Sequence, residues 1–139
     1  MKIAILIPTI KPGGAEKQAA LLAATLSQEH EVHFMSLWGK KDLSMTVKKF
    51  LEDAHVHIHY LSGRRIGKWK EYYRLLKQLH IEVAFNYLTA CDVTGAIVEK
   101  LAGVNTVFNG IRNSRLAPVK TIMEWFAHNF FADYTIYNC

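Results

Sequence analysis

The chain has 139 residues and a mass of 15.9 kDa, the size of one domain with a core of its own. Half of its residues are hydrophobic and 21% are charged, which excludes a disordered tail, and its longest apolar runs, Ile3 to Ile7 and Ala19 to Ala24, fall far short of the ~18 residues of a membrane-spanning helix. Seventeen basic against twelve acidic side chains give a net charge of +5, which favours anionic partners without choosing among phosphates, nucleic acid and a membrane surface.

In chain order the pattern alternates strand and helix. Ile3 to Ile7 is a continuous apolar run ended by Pro8, as in a strand buried on both faces of a parallel sheet. Gly14 to Glu29 reads as a helix with Ala15, Ala19, Leu22, Ala23 and Leu26 on one face. Glu31 to Leu37 is a second strand. Ser44 to Asp53 is a short helix with Val47, Phe50 and Leu51 inward. Val56, Ile58 and Tyr60 alternate with His55, His57 and His59, which predicts a third strand with one wet face.

Lys68 to Leu79 reads as a helix built on Trp69, Tyr72, Tyr73, Leu75, Leu76 and Leu79. Glu82 to Tyr87 is a fourth strand. Asp92 to Leu101 is a helix with Gly103 as its C-terminal cap. Asn105 to Asn109 is a fifth strand, Pro118 to Phe131 an aromatic-rich helix and Tyr134 to Tyr137 a sixth strand. Six strands separated by five helices predict an α/β fold, a doubly wound, mainly parallel, Rossmann-like sheet of order 3-2-1-4-5-6. No helix follows the last strand to cover it, so the chain reads as the front part of a longer protein.

Cys91 and Cys139 form no C-x-x-C, which gives no support to a disulfide framework or zinc ribbon and predicts a reducing, cytoplasmic setting. In a doubly wound sheet, ligands bind beyond the carboxyl ends of the strands where the order reverses, here between strands 1 and 4. Thr9, Lys11, Asn86, Tyr87, Thr89, Asp92, Arg112, Asn113 and Ser114 collect in the loops that border this crevice. In the first of those loops Gly13 and Gly14 would let backbone approach an anion at a helix start. The alternative is a sharp turn that needs positive φ. The loop is neither G-x-G-x-x-G nor G-x-x-x-x-G-K-[ST], and no acidic residue closes the second strand.

Four further groups have two readings each. Arg112 is either a planar anion fork or an arginine that ties loops together. Glu16 lies in a first helical turn, where its charge suits the helix dipole better than catalysis. His55, His57 and His59 would stand roughly 6.6–6.8 Å apart along one face, too far for one zinc, so no metal site is expected. Arg64, Arg65, Lys68, Lys70 and Arg74 cluster around Trp69, Tyr72 and Tyr73. That mixture suits an anionic membrane interface or a lipid-linked phosphate, against the simpler reading of a solvated helix face. No nucleic-acid motif accompanies it, so nucleic acid is not an expected partner.

Gly13-Gly14-Ala15-Glu16 after an apolar first strand resembles the N-terminal domain of bacterial GT-B glycosyltransferases of family four. Ile81 to Ala84, Thr94-Gly95-Ala96, Leu101 to Val104, Gly110 to Asn113 with its arginine-asparagine pair, and Ala132 to Asn138 resemble further stretches of that family in the same order. The resemblance implies one acceptor-binding domain over residues 1–139 and a separate C-terminal domain, absent from this chain, that holds a nucleotide-sugar donor. Gly13 and Gly14 would face the donor diphosphate. Thr9, Lys11, Asn86, Tyr87, Thr89, Arg112 and Asn113 would line the cleft. Many relatives carry a histidine where this chain has Tyr87. The implied reaction is sugar transfer to a glycan or lipid-linked acceptor in polysaccharide biosynthesis, with the enzyme peripheral at the inner membrane face and no cofactor in this chain. A stand-alone, non-catalytic nucleotide- or phosphate-binding module is the other reading of the same residues.

Overall fold

A computed structural model describes residues 1–40, 43–64, 66–87, 89–111 and 134–137. Six strands, β1 (Lys2–Ile7), β2 (Glu31–Ser36), β3 (His57–Tyr60), β4 (Val83–Tyr87), β5 (Thr106–Ile111) and β6 (Tyr134–Tyr137), form one sheet of order β3-β2-β1-β4-β5-β6. Every neighbouring pair is parallel. Helices α1 (Gly14–Leu26), α2 (Met45–Asp53), α3 (Ile66–Gln78) and α4 (Thr89–Leu101) connect the strands. The expected order and parallel pairing are observed. The expected helix at 118–131 lies outside the described residues.

The sheet is covered on two sides because its central strand has no wet face. Ile3, Ile5 and Ile7 of β1 pack with Val32 and Phe34 of β2, Ala19 and Ala23 of α1, and Val47 and Leu51 of α2. Ala4 and Leu6 face the other way, into a second core with Met35, Ala84, Val107, Tyr72, Leu76 and Ala96. Each fully buried Leu or Ile side chain contributes roughly 1.5–3 kcal/mol.

Local chemistry sets the element ends. Ser44 caps α2, its Oγ accepting from the Val47 amide at 3.3 Å. Gly103 takes φ +85° after α4, with the Val104 amide donating to the Glu99 carbonyl at 3.0 Å and the Gly103 amide to Lys100 at 3.1 Å. This is the left-handed glycine stop expected from sequence. Helix α1 ends at Leu26, three residues short of the expected Glu29. There the Ser27 hydroxyl donates to the Ala24 carbonyl at 2.7 Å and to the distant Ala54 carbonyl at 3.0 Å, which turns the chain.

The buried stripe of α1 is Glu16, Ala19, Ala20 and Ala23, rotated from the expected one by the inclusion of a carboxylate. Phe50 and Tyr73, expected inward, are 42% and 37% exposed. They lie off the stripes of Val47–Leu51 and Tyr72–Leu76 that meet the sheet.

The three alternating histidines do not share one strand face. His55 occupies a left-handed position (φ +61°) in the turn after α2, before β3 begins. His57 and His59 do share a face, and His33 of β2 joins them. His33 is buried and donates or accepts across 2.9 Å to His59, while its other ring nitrogen meets Glu31 Oε1 at 2.7 Å. The His57 ring stacks on His33 at 4.9 Å. Burial holds both His33 and His59 below the usual imidazole range, and the Glu31 hydrogen bond opposes this at His33.

An imidazole with a lowered folded-state pKa stabilises the fold above its unfolded pKa, and that contribution is lost as pH falls through the folded value. The histidine pair should therefore contribute a loss of stability from pH 7.5 to 5.5, read in urea unfolding as the difference between the wild type and His59→Gln across that range. In His59→Gln that loss should be smaller than in the wild type. An undiminished loss would place the acid sensitivity elsewhere.

Candidate functional site

The crevice at the carboxyl ends of β1 and β4 is built from the loop after Ile7 and the end of β4. Parallel pairing sets Leu6 beside Asn86. The Pro8 carbonyl accepts from the Trp38 amide at 2.9 Å and the Ile10 carbonyl from the Ser44 amide at 2.6 Å, which anchors the loop on β2 and α2. Thr9 is buried and Lys11 exposed.

Gly13 is the N-cap of α1 with φ −177° and ψ 169°. This is ordinary extended backbone, and neither Gly13 nor Gly14 has positive φ, so the sharp-turn reading fails. A Cβ at Gly13 would meet Glu16 Oε2, the end of a flexible side chain, so a residue there requires the carboxylate to swing aside. A Cβ at Gly14 would meet nothing within 4 Å. The first helical bond runs from the Lys17 amide to the Gly13 carbonyl at 3.1 Å, which leaves the preceding amides of the turn without helical acceptors. Glu16, only 3% exposed, folds its carboxylate back against Gly13. Its negative charge suits the helix dipole and weakens the pull of the same turn on an outside anion.

Beneath the β4 end lies a buried polar cluster that pattern reading did not reveal. Asn86 Nδ2 donates to Glu99 Oε2 of α4 at 2.8 Å and to Asn109 Oδ1 of β5 at 2.8 Å. The Tyr72 hydroxyl of α3 makes a short bond to Glu99 Oε1. Asn86 Oδ1 has no hydrogen-bond partner among the described residues. It points at Gly95, where a Cβ would come within 2.9 Å of it. Burial pushes the Glu99 carboxyl up to about 8, against the lowering effect of the Tyr72 and Asn86 hydrogen bonds and of Lys100. Burial and the nearby Glu99 push Tyr72 well above the usual phenol range. Asn86 therefore faces inward and supports the crevice floor; Tyr87, half-buried on the other face, packs with the α1–α2 core.

Thr89 is the first residue of α4. Arg112 and Asn113 lie outside the described residues, as does Arg65.

The basic and aromatic residues divide between two places. Trp69 turns to the core and meets Tyr72 edge-on at 6.1 Å. Lys70 is exposed on α3. Arg64 and Lys68 instead line a cleft of about 790 Å³ at the carboxyl ends of β2 and β3, with Trp38, Lys40 and Tyr60. The last three precede Arg64 by 26, 24 and 4 positions in sequence, and pattern reading missed them. Among the described residues no three His, Cys, Asp or Glu side chains are placed to hold a metal ion, and no helix is long and apolar enough to cross a membrane.

No protein-family model and no curated protein matches this sequence. Solved structures do match its fold. Alr3699/HepE of Anabaena, crystallised with UDP-glucose, superposes with a TM-score of 0.77 at 17% identity, covering 97% of this chain and 36% of its own. MurG of Acinetobacter baumannii superposes at 0.65 and 15% identity, covering 98% of this chain and 41% of its own. A UDP-glucose-4-epimerase from Stenotrophomonas maltophila with bound NAD superposes at 0.54 and 12% identity, covering 85% of this chain and 40% of its own. The chain thus has the Rossmann-like α/β fold found in parts of HepE, MurG and the epimerase. It spans little more than a third of HepE's length.

The Glu99 cluster makes a pH prediction of opposite sign to the histidines. A carboxyl raised in the folded state stabilises fully below its unfolded pKa of 4.5, and the contribution is lost as pH rises through about 8. Glu99→Gln removes the ionisation while keeping an amide in its place. At pH 8 the variant should exceed the wild type by about 1–4 kcal/mol in urea unfolding, with the difference closing toward pH 5. A variant less stable at pH 8 would show that the ionised carboxylate is accommodated.

Proposed function

We propose that this chain is the N-terminal, acceptor-side domain of a nucleotide-sugar-dependent glycosyltransferase. One observation carries the reading: the chain matches, over 97% of its length, a domain-sized 36% of a protein crystallised with UDP-glucose. The open Gly14 position at the topological switch point supports it.

In this reading the donor lies between Gly13-Gly14 and a second domain of the same protein. An acceptor hydroxyl attacks the anomeric carbon. A new carbon–oxygen bond forms, the bond to the diphosphate breaks, and the nucleoside diphosphate leaves with the electron pair while the hydroxyl proton is lost. Free amides at the start of α1 stabilise charge on the departing diphosphate. Thr9, Lys11, Tyr87, Thr89, Arg112 and Asn113 are proposed to border the acceptor. The acceptor is a glycan or a lipid-linked sugar, and the exposed basic residues of the 64–74 segment suit work at an anionic cytoplasmic membrane face.

The donor site is weak within this chain. A helix N-terminus contributes ~0.3–1 kcal/mol, up to ~2 when sheltered, and the Glu16 carboxylate lowers that further. Even 1 mM affinity requires about −4.1 kcal/mol. Amide NMR titration of the chain with UDP-glucose should show millimolar or weaker binding, with shifts at Gly13 and Gly14. In the longer protein that carries this chain, Gly14→Val should lower donor turnover by tenfold or more, on the order of the loss of one transition-state anion donor. Its melting temperature should stay near that of the wild type, because the added side chain meets open space. Micromolar affinity in the 139-residue chain would favour a self-contained nucleotide module instead.

A further inference from the structure

The cleft at the ends of β2 and β3 is separate from the Gly13-Gly14 loop and is built with more cationic chemistry. Its walls are two loops, residues 37–40 after β2 and 61–64 after β3, together with the first turn of α3. Lys40, Arg64 and Lys68 line it, and among the described residues no carboxylate does. Among the described residues none of the three is in an ion pair. Lys40 Nζ stands 5.2 Å from the Tyr60 ring centroid and Lys68 Nζ 5.9 Å from that of Trp38, so two of the cations are held over ring faces. Trp38 is 47% exposed and offers a flat apolar surface beside them.

Both loops are held in place from behind. Gly39 takes φ +64°, its carbonyl accepts from the Ser36 hydroxyl at 2.7 Å, and a Cβ there would lie 3.1 Å from the Leu61 carbonyl oxygen. The Leu61 amide donates to the Ser36 carbonyl at 3.0 Å, which ties the second loop to the first. A Cβ at Gly63 would fall against the Lys68 amide and 2.5 Å from the Gly67 carbonyl carbon, so only glycine lets this loop lie on the helix start. Glu71 Oε2 accepts from the Ser62 amide at 3.0 Å and the Gly63 amide at 3.1 Å. The nearest carboxylate of α3 is thereby engaged by backbone and not by the cations.

We infer that this cleft binds a phosphate-bearing saccharide, with the phosphate between Lys40, Arg64 and Lys68 and the sugar ring against Trp38. Three converging cations exceed what one phosphate monoester needs for neutralisation and suit a glycosyl phosphate or diphosphate. An exposed indole face suits the apolar face of a pyranose. The phosphate comes either from a free sugar phosphate or from a lipid-linked one. The role of this ligand as acceptor rests on the transferase reading; its recognition by the cleft does not.

The test is amide NMR of the chain with glucose 1-phosphate, inorganic phosphate and glucose. Expected are shifts at Trp38, Gly63 and Lys68 with glucose 1-phosphate, weaker ones with inorganic phosphate and none with glucose. Lys40→Gln/Lys68→Gln should weaken glucose 1-phosphate by about tenfold or more, the scale of losing a charge-assisted contact. Trp38→Ala should weaken glucose 1-phosphate and leave inorganic phosphate unchanged, with both variants keeping the wild-type amide spectrum outside the cleft.

Vesicles of phosphatidylcholine with and without phosphatidylglycerol distinguish the source. Binding to the anionic vesicles that glucose 1-phosphate displaces, and that the double lysine variant loses, assigns the phosphate to a lipid. Glucose 1-phosphate binding without vesicle binding assigns it to a free sugar. Glucose binding as tightly as its phosphate, shifts confined to Gly13–Glu16, or affinity indifferent to the lysine changes overturns the inference. So does an RNA oligomer that outcompetes glucose 1-phosphate for the same residues. Loss of UDP-glucose shifts at Gly14 with the cleft shifts intact would sink the transferase reading and leave this one standing.

Discussion

Strand β1 must be dry on both faces, and the rest of the molecule follows from that. Ile3 to Ile7 are between 0 and 2% exposed, so each side of the strand needs a helical layer. A parallel sheet with right-handed crossovers supplies one only by winding outward in both directions from β1. The chain moves through β2 and β3 on one side, then returns to place β4 and β5 on the other. Where the winding reverses, the loops after β1 and β4 part, and their separation is the crevice. The candidate donor site is therefore a by-product of burying one strand.

The same burial sets the electrostatics below the crevice. Tyr72, Asn86, Glu99 and Asn109 come from four elements and meet inside the core on the α3–α4 side. In water a carboxyl is ionised at neutral pH; here desolvation outweighs its hydrogen bonds and keeps the proton on. A proton-holding carboxyl fixes the end of β4 without placing a full negative charge under the crevice. Gly95 belongs to the same arrangement, because a side chain there would press on Asn86.

Two anion-competent regions sit along one edge of the sheet, and they differ in kind. At α1 the attraction is backbone amides and a dipole, partly offset by the protein's own Glu16 carboxylate. At the β2–β3 end it is three side-chain cations beside indole and phenol rings, with the adjacent Glu71 engaged by amides. The first arrangement suits a ligand whose phosphates are held mainly from elsewhere. The second suits a ligand held by this chain alone.

Apolar runs, helical spacing and glycine punctuation were enough to read six strands, four of the helices and their winding order, because these depend on residues near one another in the chain. The Gly103 stop and the Ser44 start were legible for the same reason. The Gly13-Gly14 loop was legible as the connection from β1 to α1 at the switch point, yet the Glu16 carboxylate folded against Gly13 was not. The long-range partners of individual polar and charged side chains stayed hidden. His33 joins His59 across 26 positions and Tyr72 meets Glu99 across 27. Trp38 rather than Trp69 faces the cations, since Trp69 is drawn into the core by the register of α3. Local pattern states which residues prefer burial and how the backbone turns. Which partners a buried polar or cationic group finds is settled only when strands far apart in sequence are stacked side by side.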